Sequence, residues 1–198
     1  MSKYKVIGAV TEPITLAEAR LHCRVDADTS DGHPDDSLIE MYISVAREYA
    51  ENFTGLALGK KTIELTLDDF PSDEIELIGP ASSVTSIQYY DAAGDLQTLD
   101  ASNYELDDYS KPSYIYPAYA VTWPPVYPMT NAVIITYVTG YADDSDSQPL
   151  PFAAKAAILL MVGHLYENRE DTTDRSMSNI PNGTDALLRP LRVRLGMA

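Results

Sequence analysis

The run LLMVGHLYENRE, residues 159–170, is an apolar helix that passes straight into Tyr166, Glu167, Asn168 and Arg169. At about 100° per residue, Ile158, Leu159, Leu160, Met161, Val162 and Leu165 nearly encircle its axis, whereas a solvent-facing helix keeps its apolar side chains to one stripe. Such a helix is packed on most sides and central to the fold, so its polar end needs a receiver. Arg169 suits a helix C-terminus, where a cation meets the negative end of the dipole, but Glu167 does not. A basic partner for Glu167 is therefore expected, within the chain or on a neighbouring subunit. That makes Tyr166, Glu167, Asn168 and Arg169 candidates for a subunit interface.

Upstream, Thr15 and Glu18 fit a capping box and predict a helix from Leu16 to about Arg24. Asp35 or Asp36 is placed to cap a second helix, on which Leu38, Met41, Tyr42, Val45, Tyr49 and Phe53 share a face and Glu40, Ser44, Arg47, Glu48 and Glu51 lie largely opposite. Gly55 ends it. At Lys61 the period becomes alternating, with Ile63, Leu65 and Leu67 on one side of a strand and Thr62, Glu64 and Thr66 on the other. Short runs of the same kind follow at Glu74–Ile78, Val84–Tyr90, Leu96–Leu99, Tyr104–Leu106, Tyr114–Tyr116 and Val133–Val138. Prolines and the turn around Gly94 separate them without an intervening helix pattern, which favours antiparallel hairpins. Pro151 stands near the first turn of the long helix, where a missing amide costs little. The polar run 172–184 is expected to be a loop, and Asp185–Leu191 a last helical turn. The expected fold is α+β: residues 1–60 and 149–198 form a helical body, and residues 61–148 a β-rich antiparallel insertion.

The chain carries 30 acidic against 14 basic residues among its 198, a net charge of −16. Residues 61–148 hold 15 of the acids and only Lys61 and Lys111 as bases. Affinity for duplex DNA comes from clustered Lys and Arg, so an ordinary DNA-binding role is excluded. No stretch reaches the roughly 18 apolar residues of a membrane span, and MSKYKVIGAV lacks the apolar core of a secretory signal. A cytosolic origin without a membrane partner is the expectation. The lone Cys23 cannot form an internal disulfide.

No pattern specifies a reaction or a cofactor. His22, Cys23 and His33 stand among several aspartates, but their spacing does not supply a zinc ligand set, and Asp31 and Ser37 occupy the calcium-loop positions that need Gly and Glu. His164 lies one turn before Asn168 without a nucleophile or a Gly-rich phosphate loop nearby, so no enzyme and no metal are expected. Ten of the 14 tyrosines fall within residues 61–148. With so few bases to accompany them, packing and subunit contacts explain them better than base stacking.

Taken with ITLAEARLHCRVD at 14–26 and ALLRPLRVR at 186–194, the run at 159–170 resembles the head-tail connector, or adaptor, proteins of long-tailed bacteriophages and related gene-transfer particles. The matching pieces are Thr15–Arg24, Asp36–Phe53, Phe152–Arg169 and Ala186–Arg194. The resemblance implies a structural virion protein, not an enzyme, that is made in the host cytoplasm and placed at the head-tail junction. It implies a ring of self-associated copies, commonly twelvefold, beneath the portal of a DNA-filled head and presenting a platform to a stopper or tail-completion protein. It also implies a C-terminal segment that docks on the portal. Here that segment alternates Arg189, Arg192 and Arg194 with Leu188, Leu191, Val193 and Leu195, so that apolar anchors and charges are combined; the plainer role is a last turn packed on its own subunit. DNA would pass such a ring transiently and without sequence preference. Acidic residues such as Asp68, Asp69, Asp107 and Asp108 would repel it over a screening length of about 8–10 Å. The charge alone equally allows an acidic interaction protein or DNA mimic, and the Tyr, Trp and carboxylate content a carbohydrate-active or lectin-like β domain.

Overall fold

The computed structural model describes residues 3–26, 32–141, 149–169 and 182–193. They divide into two compact units. One takes residues 3–11, 59–140 and 193, and the other takes 12–26, 32–58, 141, 149–169 and 182–192. The fold is a mixed α+β one with antiparallel sheets.

In the first unit, β1 (Lys3–Val6), β2 (Lys61–Leu67), β4 (Ala81–Tyr90), β5 (Leu96–Thr98) and β8 (Val133–Thr139) form a five-stranded antiparallel sheet in the order β1-β2-β8-β4-β5. β3 (Ile75–Leu77), β6 (Tyr104–Asp107) and β7 (Ser113–Pro117) form a second sheet in the order β3-β7-β6. The alternating residues do what their period requires: Ile63 and Leu65 of β2, Ile87 of β4 and Ile135 and Tyr137 of β8 join Ile75, Leu77 and Ile115 of the second sheet in one buried cluster. Burial of each such side chain stabilises by about 1.5–3 kcal/mol. Phe70 closes the cluster, stacked on Trp123 with ring centroids 4.9 Å apart and edge-on to Tyr89 at 5.9 Å. Tyr137 is fully buried, and its hydroxyl accepts the Ile78 amide at 3.2 Å. Burial pushes its phenol up. Gly140 adopts φ +101°, and a Cβ there would stand 2.1 Å from the Gly59 carbonyl oxygen, so only glycine lets the two backbone segments meet. The alternation in sequence does not reveal β1, whose four residues are all exposed.

The second unit holds α1 (Leu16–Cys23), α2 (Asp36–Thr54), α3 (Phe152–Glu167) and α4 (Asn182–Leu188), the last followed by a 3₁₀ turn over Arg189–Leu191. The capping box is present: the Thr15 hydroxyl accepts the Glu18 amide at 3.2 Å and Glu18 accepts the Thr15 amide at 2.9 Å. Gly55 closes α2 in the left-handed conformation. α4 starts within the run expected to be a loop, because Thr184 and Leu188, one turn apart, are both buried.

Two helix faces differ from expectation. The buried side of α2 is Ile39, Ile43, Ala46, Arg47, Ala50 and Thr54, whereas Met41 and Val45 are exposed. Ala46 and Ala50 leave room for close helix contact beside Ile39 and Ile43, and a second apolar set that includes Met41 and Val45 lies outside that stripe. Arg47, only 5% exposed, stays charged in the interior because Glu12 meets its Nε at 2.8 Å and Glu51 its Nη1 at 2.9 Å. Glu51 also accepts the Leu58 amide at 2.8 Å, and Ser44 donates to Glu12 at 2.8 Å. α3 is not enclosed on most sides: Ala154, Ala157, Ile158, Met161 and Val162 are buried, but Phe152, Ala156 and Leu160 form an exposed stripe.

Candidate functional site

The polar end of α3 is received at the start of α2. The Tyr166 hydroxyl and Arg169 Nη2 donate to the same oxygen, Asp35 Oδ2, at 2.7 and 2.8 Å, and the Arg169 guanidinium stacks over the Tyr166 ring 4.7 Å from its centroid. Asp35 is the N-cap residue of α2, yet its carboxylate caps no amide of that helix. A carboxylate at one helix start thus meets a cation at another helix end, a favourable arrangement for both dipoles. The Tyr166 hydroxyl first, then Arg169, holds the Asp35 carboxyl below its ordinary range; the same hydrogen bond raises the Tyr166 phenol. Beside it, Asp36 accepts the His33 amide at 2.9 Å and is gripped by Arg20, whose Nε lies 2.6 Å away, and that pairing holds the Asp36 carboxyl low. The His33 ring accepts the Asp35 amide at 3.1 Å.

Among the four interface candidates at this helix end, Tyr166 and Arg169 are therefore engaged inside the subunit, and Asn168 donates to the His164 carbonyl at 2.9 Å as a terminal cap. Glu167 is exposed and has no ion pair among the described residues, so the basic partner expected for it is not found there. Sequence gives no local sign of the Asp35–Tyr166 bond, because the two residues are 131 positions apart.

The C-terminal candidates divide in the same way. Leu188 is fully buried and packs as a core residue of its own unit. Arg192 lies over the Phe53 ring, 5.7 Å from its centroid, while Arg189 is exposed. Leu191 is half-buried and Val193 follows the 3₁₀ turn. Arg194 and Leu195 lie outside the described residues.

Of the acidic candidates, Asp68 and Asp69 follow β2 in the five-stranded sheet, and Asp107 ends β6 at an edge of the other, with Asp108 next to it. The two pairs thus lie at the ends of strands of different sheets. Asp68 accepts the distant Asn131 amide at 2.8 Å, Asp69 the adjacent Phe70 amide at 2.8 Å and Asp107 the amides of Tyr109 and Ser110 at 3.0 and 3.1 Å, so Asp107 organises a turn while Asp68 ties two loops together. The Asn131 amide holds the Asp68 carboxyl low, and Ser110 does so for Asp107. Among the described residues no group of three His, Cys, Asp or Glu side chains is placed to hold a metal ion. His22 lies instead against Gly163 of α3.

The arrangement offers surfaces and helix joints. Comparison with known proteins gives it a context. The family model described as phage gp6-like head-tail connector protein matches residues 13–78 and 129–192. A chain in the neck of an empty gene transfer agent (GTA) particle, computed with C6 symmetry, is 26% identical with a TM-score of 0.76, and the match covers 99% of this chain and 98% of that one. A chain in the virion of the native GTA particle is 25% identical with a TM-score of 0.74, covering 98% of each. A chain in the native GTA neck computed with C12 symmetry, at 24% identity and a TM-score of 0.72, shares the fold. No curated protein sequence matches the chain.

Proposed function

The chain belongs to the phage gp6-like head-tail connector family, whose members are structural virion proteins of the head-tail junction and not enzymes, and from that premise we propose that it forms a ring joining the portal of a DNA-filled head to a stopper or tail-completion protein. The observation that carries this reading is the end-to-end likeness to a chain in a particle neck of sixfold symmetry. A chain repeated in a neck of cyclic symmetry is one of several equivalent copies, and copies joined by one repeated contact close into a ring. Twelve copies are the proposed number, compatible with the sixfold symmetry of that neck.

In this reading the acidic stretch 61–148 is the insertion on a helical body and contributes to the DNA channel. Its 15 acids and two lysines repel phosphate and keep contacts with moving DNA weak. Asp68, Asp69, Asp107 and Asp108 are proposed for that wall in addition to the backbone amides that the first three hold. The segment from Arg189 through Leu191, Arg192 and Val193 to Arg194 and Leu195 is proposed to dock on the portal, with Leu188 as its buried root. Glu167 remains a candidate for contact with a neighbouring copy.

Negative-stain images of portal-bearing particles with and without the chain test the proposal. A ring is expected at the vertex only when the chain is present, and particles without it should leak DNA or lack tails. Cross-linking on portal-bearing heads that captures only isolated monomers at saturation rejects the ring. Duplex DNA titrated at moderate salt should bind weakly, and Asp68→Asn, Asp69→Asn, Asp107→Asn and Asp108→Asn combined should raise that affinity. Tight, salt-sensitive binding by the unaltered chain rejects the channel role.

A further inference from the structure

The helical unit carries apolar side chains on two outer faces. On α2 the buried stripe centres on Ile43; Met41 and Val45 lie about 160° and 200° around the helix from it, and they are 52% and 46% exposed. On α3 the buried stripe centres on Ile158; Phe152 and Leu160 lie about 120° and 200° from it, and they are 89% and 39% exposed, with Ala156 exposed between them. α2 and α3 pack on each other through their buried sides. The two exposed stripes therefore point away from one another, on opposite sides of the same helical layer.

Two different apolar patches on opposite sides of one body suit a heterologous contact, in which one patch of each copy meets the other patch of the next. A self-complementary patch would produce a closed dimer instead. The charges agree with the heterologous pairing. The exposed charges of α2 near Met41 and Val45 are Glu40 and Glu48, with Arg47 turned inward. Beside the α3 stripe, the end of α1 sets exposed His22 against Gly163, with exposed Arg24 following at the helix cap and exposed Asp26 beyond it; Glu167 stands at the far end of the stripe.

We propose that the Met41 and Val45 stripe of one copy packs against the Phe152, Ala156 and Leu160 stripe of the next copy, a head-to-tail contact repeated around the ring. This rests on the ring reading above and assigns its subunit contact. The interface is formed by outer helix faces, and the helix end at Tyr166 and Arg169 serves to hold each subunit together.

Site-directed cross-linking with a short bis-maleimide tests it, in the full chain carrying Cys23→Ser and assembled on portal-bearing particles. Val45→Cys alone and Phe152→Cys alone should give no cross-linked dimer. The two mixed should give a dimer, and the double variant a ladder ending in a closed ring. Met41→Asp with Val45→Asp should lower incorporation into particles at least about tenfold while leaving the circular dichroism spectrum unchanged. Glu48→Lys should weaken incorporation, and Arg24→Glu should restore it. Homodimers from either single cysteine, or capture of the portal or tail protein by Val45→Cys, overturn the proposal. So does the absence of a mixed cross-link in particles whose rings are visible, and in that case the ring itself stands. If the unaltered chain forms no ring on particles, the ring reading fails and this contact fails with it.

Discussion

The Tyr166 hydroxyl and the Asp35 carboxylate, 2.7 Å apart, join the end of α3 to the start of α2. The carboxyl of Asp35 is held low in the folded chain, first by Tyr166 and then by Arg169. A carboxyl depressed on folding contributes stability that is complete above its unfolded value, near about 3.9, and is lost as the pH falls through the folded value. Asp35→Asn should therefore be less stable than the parent at neutral pH, and the gap should close in acid below the usual carboxylate range. Urea midpoints measured from pH 7 downward check this, and a gap that stays constant through that window rejects the role assigned to Asp35.

Arg47→Met should destabilise the helical unit by about 3 kcal/mol, because Glu12 and Glu51 lose the cation between them in a largely dry site. Adding Glu12→Gln and Glu51→Gln should recover part of the loss. Equilibrium urea unfolding of the single and triple variants measures both numbers. A single variant within 0.5 kcal/mol of the parent, taken as roughly the scale of a surface substitution, would show that the cluster is solvated.

Gly140→Ala should be among the most damaging single substitutions in the β unit. The residue has φ +101°, and the new Cβ would meet the Gly59 backbone, which has no flexible tip to move aside. A loss of more than about 2 kcal/mol is expected, read by near-ultraviolet circular dichroism during thermal unfolding. Gly8, which also has positive φ but open space around it, should tolerate alanine better.

Leu188→Ala should cost about 2–5 kcal/mol, as for other fully buried leucines. Leu191→Ala, at a half-buried position, should cost less than about 1.5 kcal/mol. Truncation beginning at Leu188 would mix a folding defect with any docking defect, so a portal-attachment assay should begin the deletion at Leu191. A Leu191 truncation that folds and still joins heads to tails would assign portal docking elsewhere.

Strands such as β2 and β8 are legible because one alternating face packs on the other sheet, as with Ile63, Leu65 and Ile135, while β5, exposed throughout, is marked by the turn around Gly94 that precedes it. β1 was not, since both faces of Lys3–Val6 meet solvent. The capping box and Gly55 are local chemistry and could be located to the residue. On α2 two apolar sets compete, one with Ile39 and Ile43 extended only by alanines and one with Met41 and Val45; the alanines add little hydrophobic signal, so periodicity favours the second set while the core takes the first. In α3 an almost continuous apolar sequence conceals which side is uncovered. The family resemblance rested on sequence runs at both ends of the chain, and the family match spans both. The Asp35–Tyr166 and Asp35–Arg169 bonds are long-range and have no local signature.

The register that sets Lys61 opposite Thr139 places β8 between β2 and β4, two strands made much earlier on the ribosome. Until β8 emerges, β2 and β4 have no common neighbour. α1 and α2 likewise wait for α3, their main packing partner. Neither unit can close before most of the chain has been synthesised, so its folding is dominated by distant pairings and is expected to be slow for its size. The nascent chain must then wait in an open form, where the mutual repulsion of its many acidic side chains protects the uncovered strands from premature aggregation.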